Sequence, residues 1–181
     1  MIDFDTGTVL FEKNADEQMP TSSMSKVMTI YMVFDAIKEG SLSLDDTFLV
    51  SEKAWRKGGS RMFVELNTRV TVEDLLRGMI IQSGNDASIV LAEGISGSEE
   101  IFSSEMNFYA KKLGLENTNF RNATGWPDSK HYTSARDLIK LANALIYEYP
   151  QYLKYYSELN FTYNNITQGN RNPLLYKNMG A

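Results

Sequence analysis

Ser23 and Lys26 stand three residues apart in Ser23-Met-Ser-Lys26, at the head of an apolar stretch, and Ser83-Gly-Asn85 closes a second one. A serine hydroxyl is a poor nucleophile until a neighbouring group takes its proton. At i and i+3 on a helix, Ser23 and Lys26 share a face, so the lysine is placed to be that base. It can act only when uncharged, and its ordinary pKa of ~10.4 must fall by roughly three units, or about 4 kcal/mol, to leave it neutral near pH 7. A helix N-terminus contributes only ~0.3–1 kcal/mol to charge preference. Desolvation can shift a lysine by ~3–5 units, so Lys26 is expected to be buried. The Ser23 backbone N–H, at a helix start, is a spare donor for a developing oxyanion. Ser83 can relay a proton between Lys26 and a departing amine, and the Asn85 carboxamide can hold a substrate carbonyl and touch the lysine. The chemistry these pieces describe is acyl transfer.

The elements that must position them are legible in outline. Ile2, Phe4, Val9 and Phe11 flank Asp5-Thr-Gly7, which reads as a β-hairpin over 1–12. Pro20-Thr-Ser-Ser23 opens a helix over about 22–39, with Val27, Ile30, Tyr31, Phe34 and Ile37 at helical spacing and Met28, Met32 and Val33 on other faces. A helix apolar nearly all round is central, and Gly40 ends it. Short strands are expected at 47–51 and 60–64, with a turn at Lys57-Gly-Gly-Ser60. Thr71-Val-Glu-Asp74 resembles a capping box and starts a helix through Leu75, Leu76, Met79 and Ile80 that breaks at Ser83-Gly-Asn85. Further helices are expected from Asp86 to about Gly94, from Ser98 to Lys112, and from Ser134 to Tyr149, the last stopped by Pro150. Asn122 to Pro127 reads as a loop and Phe161-Thr-Tyr163 as a strand.

The chain has 181 residues, 43% hydrophobic and 23% charged, enough for one domain with a core. A net charge of −5 argues against a nucleic-acid binder. With no cysteine, there is no disulfide scaffold, thiol nucleophile or thiolate metal site. The single histidine, His131, rules out a multi-histidine metal centre and weakens any Ser-His reading; it is expected to be structural or exposed. No metal or organic cofactor is implied. The longest apolar run, Val27 to Phe34, is far short of the ~20 residues that span a bilayer. Met1-Ile-Asp-Phe4 has neither a basic start nor an apolar stretch, so either the protein is cytosolic or a leader has been removed.

The two boxes match the Ser-x-x-Lys and Ser-Asp-Asn motifs of penicillin-binding proteins and class A β-lactamases, with Gly84 in the middle of the second. Together with Asp5-Thr-Gly-Thr-Val-Leu10, Ile80-Ile-Gln-Ser-Gly-Asn-Asp-Ala87, Ser134-Ala-Arg-Asp137 and Asn170-Arg-Asn172, the chain resembles the low-molecular-weight D-alanyl-D-alanine carboxypeptidases over nearly its whole length. The resemblance implies an α+β fold of β-lactamase/transpeptidase type, an antiparallel sheet from terminal strands packed against a helical cluster. It implies that Ser23 attacks the carbonyl between the terminal D-alanines of a peptidoglycan stem peptide, with Lys26 as base, Ser83 as proton relay and Asn85 positioning the acyl part. Arg171, in the segment near the family's cleft rim, is either a substrate-binding or a fold-pairing arginine. β-Lactams are expected to acylate the same serine. The expected location is periplasmic or otherwise extracytoplasmic, with any membrane anchor in a region beyond this chain.

The family's third box, Lys-Thr-Gly, would follow shortly after Ala181, so residues 1–181 are expected to be a catalytic domain incomplete at both ends, lacking its C-terminal strands. A polypeptide ending at Ala181 is accordingly expected to be nearly inactive, since removal of one oxyanion donor costs ~10²–10³ in rate. Two other readings stand beside the carboxypeptidase: a β-lactamase or esterase on the same scaffold, and an inactive domain that binds peptidoglycan or β-lactam without turnover. Ser-Gly-Asn and the lack of a clear glutamate-bearing deacylation loop count against the β-lactamase.

Overall fold

The computed structural model describes residues 1–177. After an N-terminal segment, a 3₁₀ turn at Ser22–Ser25 runs into helix α1 (Lys26–Lys38). Strand β1 (Thr47–Leu49), the short helix α2 (Glu52–Arg56) and strand β2 (Arg69–Thr71) follow. Three consecutive helices, α3 (Val72–Gln82), α4 (Asn85–Ser96) and α5 (Glu99–Lys112), form the middle of the chain. A long irregular segment leads to α6 (Ala135–Glu148), a 3₁₀ stretch (Pro150–Ser157) and the strands β3 (Asn160–Tyr163) and β4 (Ile166–Gly169). The expected α+β class is what is seen.

Helix ends follow their capping chemistry. Thr71, Ser98 and Ser134 each sit in extended conformation and accept a backbone N–H three residues on, at Asp74, Ile101 and Asp137. Helix α1 buries residues on every side, from Met28 to Phe34 without interruption. Helix α4 is enclosed over Asn85–Ala92 and packs against α1, α2, α3 and α5. These two helices are the axis of the core, and each begins with a residue of the site.

Three expectations change. The helix expected from residue 22 begins as a 3₁₀ turn, because Ser22 adopts a left-handed φ of +45° that an α-helix does not accept. Residues 60–64 are not a strand. Their N–H groups at Met62, Phe63 and Val64 donate to the buried carboxylate of Asp86 at 3.0, 2.9 and 3.3 Å instead of to a neighbouring strand. Phe63 is drawn into positive φ (+69°) by that side-chain clamp. Finally, the terminal hairpin reduces to one bridge, Ile2 to Val9, around a turn with Gly7 at φ +70°. Among the described residues the sheet structure is two separate antiparallel pairs, β1–β2 and β3–β4. No helix among them is long and apolar enough to cross a membrane.

Candidate active site

In the 3₁₀ turn that precedes α1, residues i and i+3 eclipse one another, which sets Ser23 over Lys26 more directly than an α-helical turn would. The two differ sharply in environment: Ser23 is exposed, whereas Lys26 is 3% exposed. The Lys26 Nζ lies 3.2 Å from Ser23 Oγ, 2.8 Å from Asn85 Oδ1 and 2.8 Å from the Thr124 carbonyl oxygen. Burial pushes its pKa down to about 8, helped by repulsion from the cations of Arg171 and Lys57 and opposed by the Asp86 carboxylate. This is the desolvated lysine that the chemistry requires.

The three contacts are not equivalent. A backbone carbonyl can only accept. The Asn85 amide is oriented by its Nδ2, which donates to the Gly58 carbonyl at 2.9 Å, so its Oδ1 is an acceptor too. Two acceptors therefore take two N–H bonds of Lys26. The third tetrahedral position, an N–H in the ammonium and a lone pair in the neutral amine, faces the Ser23 hydroxyl. On losing one proton the amine becomes an acceptor for Ser23 O–H with no rearrangement.

Asn85 is the first residue of α4, and its backbone N–H donates to the Ser60 carbonyl at 2.8 Å. The turn at 57–60 thus holds it from two sides. Gly59 (φ +82°) is needed there: a Cβ would stand 2.7 Å from Asn85 Nδ2 and 3.3 Å from the Trp126 ring. Across the turn, Lys57 Nζ lies 4.0 Å from the centre of the Trp126 ring, a cation–π contact at the edge of the site.

Ser83 caps α3 in the left-handed conformation (φ +59°), two residues before Asn85. Its Oγ is buried and has no hydrogen-bond partner among the described residues. It is not joined to Lys26, in contrast to Ser23 and Asn85. A buried hydroxyl left without any partner costs ~1–3 kcal/mol, so Ser83 Oγ is open to a water or to a bound molecule. Arg171 donates from Nη1 to Ser60 Oγ at 2.7 Å, and its backbone N–H reaches the Ile81 carbonyl. It is exposed, and it acts on Lys26 through its charge.

The loop 122–126 supplies what residue-by-residue reading missed. Thr124 contributes a main-chain carbonyl to Lys26, and main-chain groups leave no signature in residue type. Asn122 Oδ1 accepts from the backbone N–H groups of Thr124, Gly125 and Trp126 and from Thr124 Oγ1, which fixes the loop in place. Thr29 Oγ1 and Glu99 Oε1 bind the Ala123 carbonyl and N–H, tying the loop to α1 and α5. Gly125 (φ +81°) packs so tightly on the Ser22–Ser25 turn that a Cβ would overlap the Ser22 carbonyl. A glycine in Asn122-Ala-Thr-Gly125 was a visible hint of such a close approach. Among the described residues no group of three or more His, Asp or Glu could hold a metal ion.

An exposed serine hydroxyl thus stands against a buried lysine whose pKa is lowered, with an asparagine on the same amine and a buried serine hydroxyl two residues before that asparagine. The chain matches the family profile described as D-alanyl-D-alanine carboxypeptidase over residues 1–180. It is 42% identical to D-alanyl-D-alanine carboxypeptidase DacA of Haemophilus influenzae over 97% of its own length and 46% of the relative's. Its fold superimposes on penicillin binding protein 5 from Haemophilus influenzae with a TM-score of 0.94 and 42% identity, covering 98% of this chain and 52% of the other. Penicillin-binding protein D2 from Listeria monocytogenes in its ampicillin-bound form gives a TM-score of 0.84 at 30% identity, covering 97% of this chain and 71% of that one. The chain belongs to the D-alanyl-D-alanine carboxypeptidase family, and it spans about half the length of the curated relatives it matches.

Proposed function

We propose that Ser23 is the acylated nucleophile of a serine-type D-alanyl-D-alanine carboxypeptidase, with residues 1–181 contributing to one catalytic domain. The observation that carries this is the Lys26 amine, held by two obligate acceptors with its third position turned to Ser23 Oγ at 3.2 Å. In the first step Ser23 Oγ bonds to the carbonyl carbon of the penultimate D-alanine while its proton passes to Lys26 Nζ. The C–N bond to the terminal D-alanine then breaks, and the proton returns from Lys26 through the Ser83 hydroxyl to the leaving amine. Water, deprotonated by Lys26, cleaves the resulting ester, releases the shortened peptide and restores Ser23. Asn85 Nδ2, with one N–H on the Gly58 carbonyl, offers its second N–H to the acyl carbonyl. Arg171, with one Nη donor committed to Ser60, offers its remaining donors to a substrate carboxylate.

The substrate is a peptidoglycan stem peptide, which places the protein outside the cytoplasmic membrane, in the periplasm or its equivalent. The ampicillin-bound relative supports β-lactams as covalent ligands of the same serine. The test is release of D-alanine from a diacylated Lys-D-Ala-D-Ala peptide by the full-length gene product. Turnover is expected for the native protein, with a drop of at least about 10³-fold in the Ser23→Ala variant, as for other acyl-transfer nucleophiles. Undiminished release by Ser23→Ala would refute the assignment.

A further inference from the structure

His131 is a buried titratable side chain behind the Ser22–Ser25 turn that the reaction above leaves unused. It is 4% exposed, its ring edge-on to Phe120. Its Nδ1 accepts the backbone N–H of Arg121 at 3.2 Å. That contact fixes the neutral tautomer, because Nδ1 cannot carry a proton while accepting one, so Nε2 bears the hydrogen. The Nε2 lies 2.6 Å from Ser25 Oγ and donates to it. Ser25 Oγ in turn meets Thr21 Oγ1 in a buried contact, and Thr21 Oγ1 donates to the Ser22 carbonyl at 3.1 Å. One directed chain thus runs from Arg121 N–H through His131, Ser25 and Thr21 to the peptide group joining Ser22 to Ser23.

The end of that chain is a strained place. Ser22 holds φ +45°, a conformation that costs a non-glycine residue of order 1 kcal/mol and persists only when its surroundings impose it. Two groups impose it here: the hydroxyl chain on one side and the Gly125 backbone packed on the same carbonyl on the other. Among the described residues the Ser23 side chain bonds to Lys26 alone, so its direction depends on the Ser22 backbone.

We propose that His131 is a positioning residue: in its neutral form it sets the direction of the Ser25–Thr21–Ser22 hydrogen-bond chain and thereby aims Ser23 Oγ at Lys26. A second proton on Nδ1 would confront the Arg121 N–H donor to donor, break the first link and release the turn. The charged groups facing the ring are the Asp128 carboxylate, which favours protonation, and the Arg121 guanidinium, which opposes it. The residues of the hydrogen-bond chain beyond the ring, Ser25, Thr21 and Ser22, carry no charge. Burial outweighs Asp128 and holds the imidazole below its ordinary 6.5. A surface cavity bounded by Pro20–Ser22, Gly125–Ser129 and His131 gives protons a path to the ring.

The inference rests on Ser23 being the acylated residue. The experiment is the second-order rate of acylation of the full-length protein by a fluorescent penicillin between pH 4.5 and 9, for native protein and the variants His131→Gln, His131→Phe and Ser25→Ala. A glutamine amide can accept from Arg121 N–H and donate to Ser25 Oγ but does not titrate. His131→Phe and Ser25→Ala are expected to slow acylation by about 10- to 100-fold, the scale of a small misplacement of a reacting atom. His131→Gln should recover most of the rate. Below the His131 titration the native log rate should fall with a slope near about two per pH unit, one proton on Lys26 and one on His131, against about one for His131→Gln. A single slope shared by both proteins, or Ser25→Ala acylating within about twofold of native, would overturn the positioning role while leaving Ser23 as nucleophile. Failure of the native protein to form any Ser23 adduct would instead overturn the assignment of Ser23, and this inference with it.

Discussion

The Lys26 amine decides the behaviour of the site at the scale of single residues. Its folded pKa of about 8 lies below the unfolded value of 10.5. The neutral fraction, and with it the acylation rate, is expected to rise about tenfold per unit between pH 6 and 7.5 and to level off above about 8.5. The same shift has a sign for stability. Between about pH 8 and 10.5 the unfolded chain binds the proton that the folded chain has lost, so stability rises with pH through that window. The gain is present in full above 10.5 and is lost as the pH falls through about 8; its upper size is roughly 3 kcal/mol. Denaturant melts at pH 7 and pH 10 should show that rise in native protein and not in Lys26→Met. Equal rises in both would mean that Lys26 is not the titrating group. Ser23, Lys26 and Asn85 are legible in the sequence because the acyl transfer proposed for them needs particular side-chain types at fixed spacing, and the structure brings the three side chains together. Thr124 is not, because it serves through its main chain. His131 was read as structural or exposed; it is buried, and only the fold reveals which hydroxyls it meets.

At the scale of elements, the site is held by segments that have no regular structure. The Asp86 carboxylate gathers the N–H groups of Met62, Phe63 and Val64, and so fixes the approach of the 57–60 turn to Asn85. Asp86→Asn keeps the shape but presents an NH₂ to donors that need an acceptor. It is expected to cost about 2–3 kcal/mol in denaturant unfolding, the scale of hydrogen bonds to a charged group. Acylation by a β-lactam should slow in parallel. Unchanged stability would show that these backbone groups find other partners. The long helices could be read from the sequence because apolar spacing and Thr71, Ser98 and Ser134 caps agreed at every level. The strand expected at 60–64 failed because a side chain, not a strand, satisfied its backbone. The β4 strand was missed although Asn164-Asn165, both at positive φ, is a turn pair suited to a tight hairpin, and the β3–β4 register runs directly through it.

At the scale of the whole molecule, charge is distributed against its average. The chain carries a net −5, yet of the three charges that act on Lys26, beside Ser23, two are the cations of Arg171 and Lys57 and one is the Asp86 carboxylate. A local cationic field at an exposed serine attracts an anionic peptide or β-lactam over roughly one Debye length, ~10 Å at 0.1 M salt. Acylation by an anionic penicillin should therefore slow by about two- to fivefold between ~0.02 and ~0.5 M salt. A rate that increases with salt would mean that the overall negative charge governs approach.

If neutral Lys26 takes the Ser23 proton, acylation falls on Ser23 and depends on the lysine. The most direct measurement is peptide mapping by mass spectrometry after the full-length protein is incubated with a penicillin at pH 8, in native form and as Lys26→Met. One penicilloyl adduct is expected on the peptide containing Ser23 in the native protein, and its near absence in Lys26→Met over the same interval. An adduct on another serine, or an equal yield at Ser23 without the lysine, would contradict that expectation.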